Sequence, residues 1–316
     1  MTVFLIAAGA LLALAGLFCY VCYRLVFYVT PKQKQNTDHL PTGEQYDAQS
    51  SLFARLISDM AAIPCEQVTI KSYDGATLSA RYYHTADGAP LQIQFHGYRG
   101  GPLRDFCGGC KLALRLGHNV LLVDQRGHGN SDGNSISFGI RERKDCLAWA
   151  NYAAQRFGES CRILLVGISM GGATVLMAGD LALPKQVVGI MADCPYSAPE
   201  TIIRSVCRSI KLPDWLFWPF IRMGGRLFGG FDLTEASALQ SIARARVPVL
   251  LIHGEEDLFV PCAMSRELHD ACKTPCTLET FPAAAHGISY LVDAPRYEAA
   301  VIRFCKQLSL ETRPLT

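Results

Sequence analysis

The chain lacks the signatures that would assign a function at once. After Leu91–Phe95, the first run that reads as a buried strand, there is no Gly-x-Gly-x-x-Gly loop, so a dinucleotide cofactor has no support. There is no internal repeat and no low-complexity tract, which excludes solenoids and repeat arrays. Lysine and arginine number 30 against 28 acidic residues and form no stripe, so the net charge of +2 speaks against a nucleic-acid partner. The 13 cysteines are odd in number and too sparse for a disulfide scaffold. Several of them (Cys19, Cys146, Cys305) sit in apolar contexts where a thiol packs as a small hydrophobe, a usage that fits a reducing compartment.

Charge is missing altogether from Val3 to Tyr23. As a helix this run reaches about 31 Å, enough to cross a hydrocarbon core. A cleaved signal peptide fits less well, because no lysine or arginine precedes the run and the run is long for such a segment. A buried soluble helix is disfavoured by apolarity on every side. The expectation is an uncleaved, single-pass membrane anchor over residues 1–30. Arg24, Lys32 and Lys34 follow it, which by the positive-inside rule places the rest of the chain in the cytoplasm.

Half of the residues are apolar, ample for a large core. Residues 31–65 read as a tether, punctuated by Pro31, Pro41 and Gly43, followed by a short helix over Ser50–Ala62. Val68–Ile70 and Leu78–Tyr83 flank an Asp74-Gly75 turn and predict a β-hairpin. From Leu91 onward, short apolar runs (Leu91–Phe95, Val120–Val123, Arg162–Val166, Val187–Ala192, Val247–Ile252, Thr277–Phe281) alternate with helical stretches. That alternation predicts a mostly parallel sheet covered by helices on both faces, built from residues 66–200 and 244–310. It breaks over residues 201–243, where Trp215, Phe217, Trp218, Phe220 and Phe228 cluster. We expect a helical lid inserted over the C-terminal edge of the sheet, against the alternative that these aromatics are ordinary core.

Gly167-Ile168-Ser169-Met170-Gly171 joins the apolar run Arg162–Val166 to a helix. Such a turn is sharp and strained, and Gly167 and Gly171 supply the small neighbours it needs. It leaves the Ser169 hydroxyl above the sheet edge as a candidate nucleophile. The Met170 N–H, opening the helix, is a candidate donor to an oxyanion. The pentapeptide alone is weak, since glycine and serine are common. Competing constellations are weaker still. Cys107-Gly108-Gly109-Cys110 has dithiol spacing at a helix start, but small residues for helix packing explain it as well. Cys262, His269, Cys272 and Cys276 lack the paired spacing of a zinc site.

Five motifs in order, each at the end of an expected strand, resemble the α/β-hydrolase fold from Val68 to Leu308. They are His96-Gly97, Asp124–Gly129 with Ser131-Asp132-Gly133, Gly167–Gly171, His253–Asp257 with Val260-Pro261, and Ala285-His286-Gly287. Within the superfamily the chain looks most like bacterial membrane-tethered serine hydrolases near the acylglycerol-lipase, aminopeptidase and acyl-protein thioesterase branches. The resemblance implies a cofactor-free, metal-free serine hydrolase whose triad runs Ser169, Asp257, His286, the family's order. Asp193, at the end of the preceding strand, is the rival acid, and Glu255 and Glu256 are neighbouring substitutes. The second oxyanion donor is expected at Tyr98, in the loop that Gly100 and Gly101 allow to turn. His96 is expected to hold that loop, and His128 and His253 to be structural. The expected substrate is a small-molecule acyl ester or thioester, with small peptides and amides as the alternative within the class. A non-catalytic binding protein on the same fold is the reading from a different class, disfavoured because all three triad positions are filled.

Overall fold

The computed structural model describes residues 1–35, 39–40 and 43–310, so parts of the expected tether (36–38 and 41–42) lie outside the described residues. An eight-stranded sheet organises the chain. Its strands are β1 (Glu66–Lys71), β2 (Thr77–Tyr83), β3 (Leu91–Phe95), β4 (Asn119–Asp124), β5 (Ile163–Ile168), β6 (Val187–Asp193), β7 (Val249–Gly254) and β8 (Cys276–Phe281). They lie in the order β1-β2-β4-β3-β5-β6-β7-β8. β1 and β2 pair antiparallel and β2 meets β4 antiparallel; every later pairing is parallel.

Burial on both faces explains the continuous apolar runs. Alternate residues of one strand feed two separate cores: Ile163 and Leu165 of β5 face one, Leu164 and Val166 the other, and β4 and β7 divide in the same way. Fully burying one such aliphatic side chain is worth roughly 1.5–3 kcal/mol, so the centre of the sheet is the stable platform of the molecule. β3 departs from the pattern. Its Gln92 and Gln94 are buried on one face, where the Gln94 amide donates to Gln92 at 3.0 Å and Gln92 pairs with His118 at 3.1 Å.

The segment expected as a lid forms two helices, Pro199–Ser209 and Asp214–Gly224, the second closing in a wider turn over Gly225–Gly229. Three glycines in Gly224–Gly229 loosen the last turn of the second helix.

The N-terminal helix α1 (Thr2–Val26) is long and apolar enough to cross a membrane, with mean hydropathy 2.4 over its best 18 residues. Its first half stands clear of the fold, and its last turns do not. Cys19, Cys22 and Tyr23 are buried, and Phe27 just beyond is completely enclosed. The Tyr23 hydroxyl lies 2.6 Å from Ser135 Oγ, and Val29 N–H donates to Asn134 O at 2.8 Å. The helix crosses Asp214–Gly224 so closely that a Cβ on Gly224 would press on the Cys19 carbonyl at 2.5 Å. The end of this apolar helix is thus bonded into the core.

Candidate functional site

Ser169 sits where the parallel strands end. β5 stops at Ile168 and a helix starts at Met170, so the chain must reverse within one residue. Ser169 takes φ 55° and ψ −115°, a conformation that costs a non-glycine residue of order 1–3 kcal/mol. Its neighbours hold it there. Ser169 N–H donates to Asp193 O at 2.8 Å, tying the turn to β6. A Cβ on Gly167 would collide with the Gly171 carbonyl, and one on Gly171 with the Phe95 carbonyl, so both glycines are required by close backbone approach.

His286 lies in the loop after β8, with its Nε2 2.9 Å from Ser169 Oγ and its Nδ1 2.6 Å from Asp257 Oδ2. The three residues expected to meet are therefore within hydrogen-bond contact in one line. Asp257 is enclosed and accepts from the backbone N–H groups of Phe259 (2.9 Å) and Val260 (2.8 Å). Its burial opposes charge, but hydrogen bonds from His253 and His286, with that of Val260, outweigh it and hold the carboxyl well below the usual range. It is an anion aimed at the imidazole, which fixes Nδ1 as the protonated nitrogen and leaves Nε2 as acceptor for the serine hydroxyl.

Asp193, the rival acid, faces elsewhere. Its Oδ2 accepts from Tyr297 OH at 3.0 Å, and burial pushes its pKa up to about 6. His253 is structural: Nε2–H donates to Val260 O at 2.8 Å and Nδ1 meets Ser265 Oγ at 2.6 Å, while Nε2 also lies 3.3 Å from Asp257. Glu255 instead accepts from Thr280 Oγ1 at 2.6 Å.

The loop after β3 is held by groups at both ends. His96 Nδ1–H donates to Gly97 O at 2.9 Å, and its Nε2 accepts Gln125 N–H at 3.1 Å. The Asp105 carboxylate accepts Gly97 N–H at 2.7 Å and pairs with Arg104 at 2.6 Å. The Tyr98 and Met170 N–H groups make no hydrogen bond to a loop or turn acceptor among the described residues. The Tyr98 side chain reaches α1, donating its OH to Val26 O at 2.7 Å. His128 stacks edge-on against His96 at 4.6 Å, and burial pulls its pKa down to about 3, so it stays neutral. Arg126 is clamped by Asp145, with both oxygens at 2.6 Å, and by Asp74 at 3.0 Å.

Two spaces open on Ser169. One, about 310 Å³, is almost wholly apolar and is walled by Phe18, Val21 and Leu25 of α1, by Phe138, and by Ile203 and Phe217 of the inserted helices. The other, also about 310 Å³, is more polar: it contains His286, Tyr46, Arg104 and Asp105 beside apolar walls such as Phe53 and Ile288. Tyr46 comes from the expected tether, and its OH donates to His286 O at 3.2 Å. Phe259 borders both spaces, its ring 5.2 Å from that of His286.

The competing constellations lead elsewhere. Cys107 and Cys110 are buried thiols, and burial pushes Cys107 up to about 12, the opposite of a reactive dithiol. A Cβ on Gly108 would enter the Tyr290 ring, so helix packing accounts for the small residues there. Cys262, His269, Cys272 and Cys276 do not gather into a ligand set. Among the described residues, Cys194, Asp257 and His286 are the donors that converge within 4.8 Å, and the last two are already bonded to each other.

The sequence reading missed Asp105, Tyr46, Phe259 and the wall from α1. Asp105, in the first turn of the helix after Gly100-Gly101-Pro102, carried a local signal as the acid nearest the loop. Tyr46 carried none, standing 240 residues from the backbone group it meets.

The model of the alpha/beta hydrolase family matches residues 75–301. The chain is 28% identical over 202 residues to the uncharacterised protein YqkD of Bacillus subtilis, a match covering 64% of this chain and just under two thirds (66%) of that one. It is 26% identical over 247 residues to the uncharacterised protein Rv2307c of Mycobacterium tuberculosis, covering 77% of this chain and 80% of the relative. Among solved structures, the Pyrococcus furiosus esterase Pf2001 superposes with a TM-score of 0.62 at 24% identity, over 79% of this chain and 92% of the esterase. The sheet order, the strained turn and the extent of the family match together lead to one conclusion: the chain belongs to the alpha/beta hydrolase family.

Proposed function

We propose that the protein is a membrane-anchored serine hydrolase that cleaves a carboxylic ester or thioester through an acyl-enzyme. The observation that carries the reading is the unbroken line Ser169 Oγ–His286 Nε2 (2.9 Å) and His286 Nδ1–Asp257 Oδ2 (2.6 Å). A serine hydroxyl is a poor nucleophile unless a base takes its proton as it attacks. His286 Nε2 is in reach to do so, and the buried Asp257 anion stabilises the imidazolium that results. Attack on the acyl carbon moves the carbonyl electron pair onto oxygen, and the N–H groups of Met170 and Tyr98 receive that oxyanion. Each such donor is worth roughly 3 kcal/mol. Collapse breaks the bond to the leaving oxygen or sulfur, which takes the proton from His286 Nε2–H. Water then repeats the sequence on the acyl-enzyme and frees the acid and Ser169. Retention of α1 belongs to this proposal, because its last turns are bonded to the core and wall the site.

The test is hydrolysis of chromogenic acyl esters by the full chain and by Ser169→Ala. We expect the substitution to lower kcat/KM by about 10⁶-fold, as removal of a triad nucleophile does elsewhere. Wild-type hydrolysis by Ser169→Ala would overturn the proposal.

A further inference from the structure

The two spaces beside Ser169 are not interchangeable, and this fixes how a substrate lies. His286 must hand its proton to the leaving group, so the leaving group occupies the space that contains His286. That space is the more polar of the two. The acyl chain is left with the apolar space, which reaches Ser169 but is not lined by His286. Three of its named walls, Phe18, Val21 and Leu25, belong to α1, the helix long enough to cross a bilayer.

The rim of the apolar space is itself greasy. Leu25 is 68% exposed on the α1 side, and Ile210 is 61% exposed on the facing side. Trp215, at 69%, extends the surface on the adjoining helix. Exposed apolar side chains on both lips of a cavity whose wall is a candidate membrane helix are costly in water and matched to hydrocarbon. Tyr20 and Tyr23 pack on Phe228, and Phe18 on Phe217 and Phe220, so α1 and the inserted helices form one aromatic-lined wall.

We propose that α1 is a working wall of the acyl-binding site, and that the substrate is an acyl ester resident in the bilayer whose chain slides between α1 and the inserted helices to reach Ser169. This rests on the serine-hydrolase reading and adds the substrate class and the role of the anchor. Each methylene received by the apolar space adds about fourfold to kcat/KM until the space is full.

The experiment uses the full chain reconstituted in phosphatidylcholine vesicles. It measures kcat/KM for p-nitrophenyl butyrate and p-nitrophenyl dodecanoate, presented in the vesicles or in detergent micelles free of bilayer, together with fluorophosphonate labelling of Ser169. The expected results are a dodecanoate-to-butyrate ratio above tenfold and faster dodecanoate turnover from vesicles than from micelles. Val21→Trp, which fills the wall, should lower the ratio at least tenfold. Phe18→Ala, which opens it, should move the optimum to a longer chain. Leu17→Trp, on an exposed position of the same helix outside the wall, should change the ratio less than twofold. An unlabelled wild type that hydrolyses neither ester overturns the serine-hydrolase reading. A labelled, active wild type whose ratio ignores Val21→Trp and Phe18→Ala overturns the role of α1. Equal turnover from vesicles and micelles overturns the bilayer source of the substrate.

Discussion

The two sides of Ser169 are built on different physical terms. On the polar side the reactive groups are held by short bonds to neighbours: His286 by Asp257, Asp257 by two backbone amides, and Gly97 by Asp105. That side hangs from strand ends and the loops just beyond them, so its geometry is inherited from the most buried part of the molecule. On the apolar side no hydrogen bond fixes what enters. Its shape comes from the packing of α1 against helices inserted far along the chain. The first side is suited to moving a proton between fixed atoms, the second to accepting methylenes without orienting them. The proposed reaction, a defined proton transfer on a loosely defined chain, would use both.

The comparison is broken most severely through the acid. Asp257→Asn should lower kcat/KM for any acyl ester by about 10⁴-fold, because the imidazole loses its tautomer and its counter-charge. Asp193→Asn, one strand away, should cost less than tenfold in the same assay. Equal losses would make Asp193 part of the proton relay.

Asp193 sharpens the comparison in a second way. Its folded pKa of about 6 lies above the ordinary 3.8 of an aspartate, so the native state keeps the proton to higher pH than the unfolded chain. Stability should therefore fall as pH rises from about 4 through 6, and change no further from this group above that. By thermal or urea unfolding, Asp193→Asn should gain stability relative to wild type between pH 4 and pH 8, by on the order of 2 kcal/mol. An unchanged difference across that window would mean that Tyr297 and the surrounding groups fully support the anion.

The smallest effect belongs to the polar rim. Tyr46→Phe removes one hydrogen bond to the His286 carbonyl, worth about 1 kcal/mol. We expect up to fivefold in kcat/KM, the same for short and long acyl chains. A loss that grew with chain length would place Tyr46 on the acyl side instead.

On the polar side Ser169, Asp257 and His286 were legible in the sequence because each sits in a local pattern just beyond a strand end. Gly167–Gly171 dictates the strained turn, and Ala285-His286-Gly287 follows an apolar run. The fold was legible for the same reason: runs such as Leu91–Phe95 coincide with the observed strand, and Thr277–Phe281 misses its start by one residue. Short loops leave the alternation of strand and helix few topologies. The apolar side was not legible. The α1 sequence announced a hydrophobic helix, but apolarity around the whole circumference hides which face meets protein and which meets lipid. Gly224, whose missing side chain lets α1 come close, reads locally as one of several glycines at a helix end. Tyr46 touches the site across 240 residues of sequence and Val26 across 72, and no local spacing records such contacts.

The most direct test of the triad is covalent. The full chain in detergent is treated with a fluorophosphonate at neutral pH, and the adduct is located by peptide mass spectrometry. The account predicts a single modification on Ser169 that is abolished in His286→Ala. A folded chain that stays unlabelled, or an adduct on a residue other than Ser169, would contradict it.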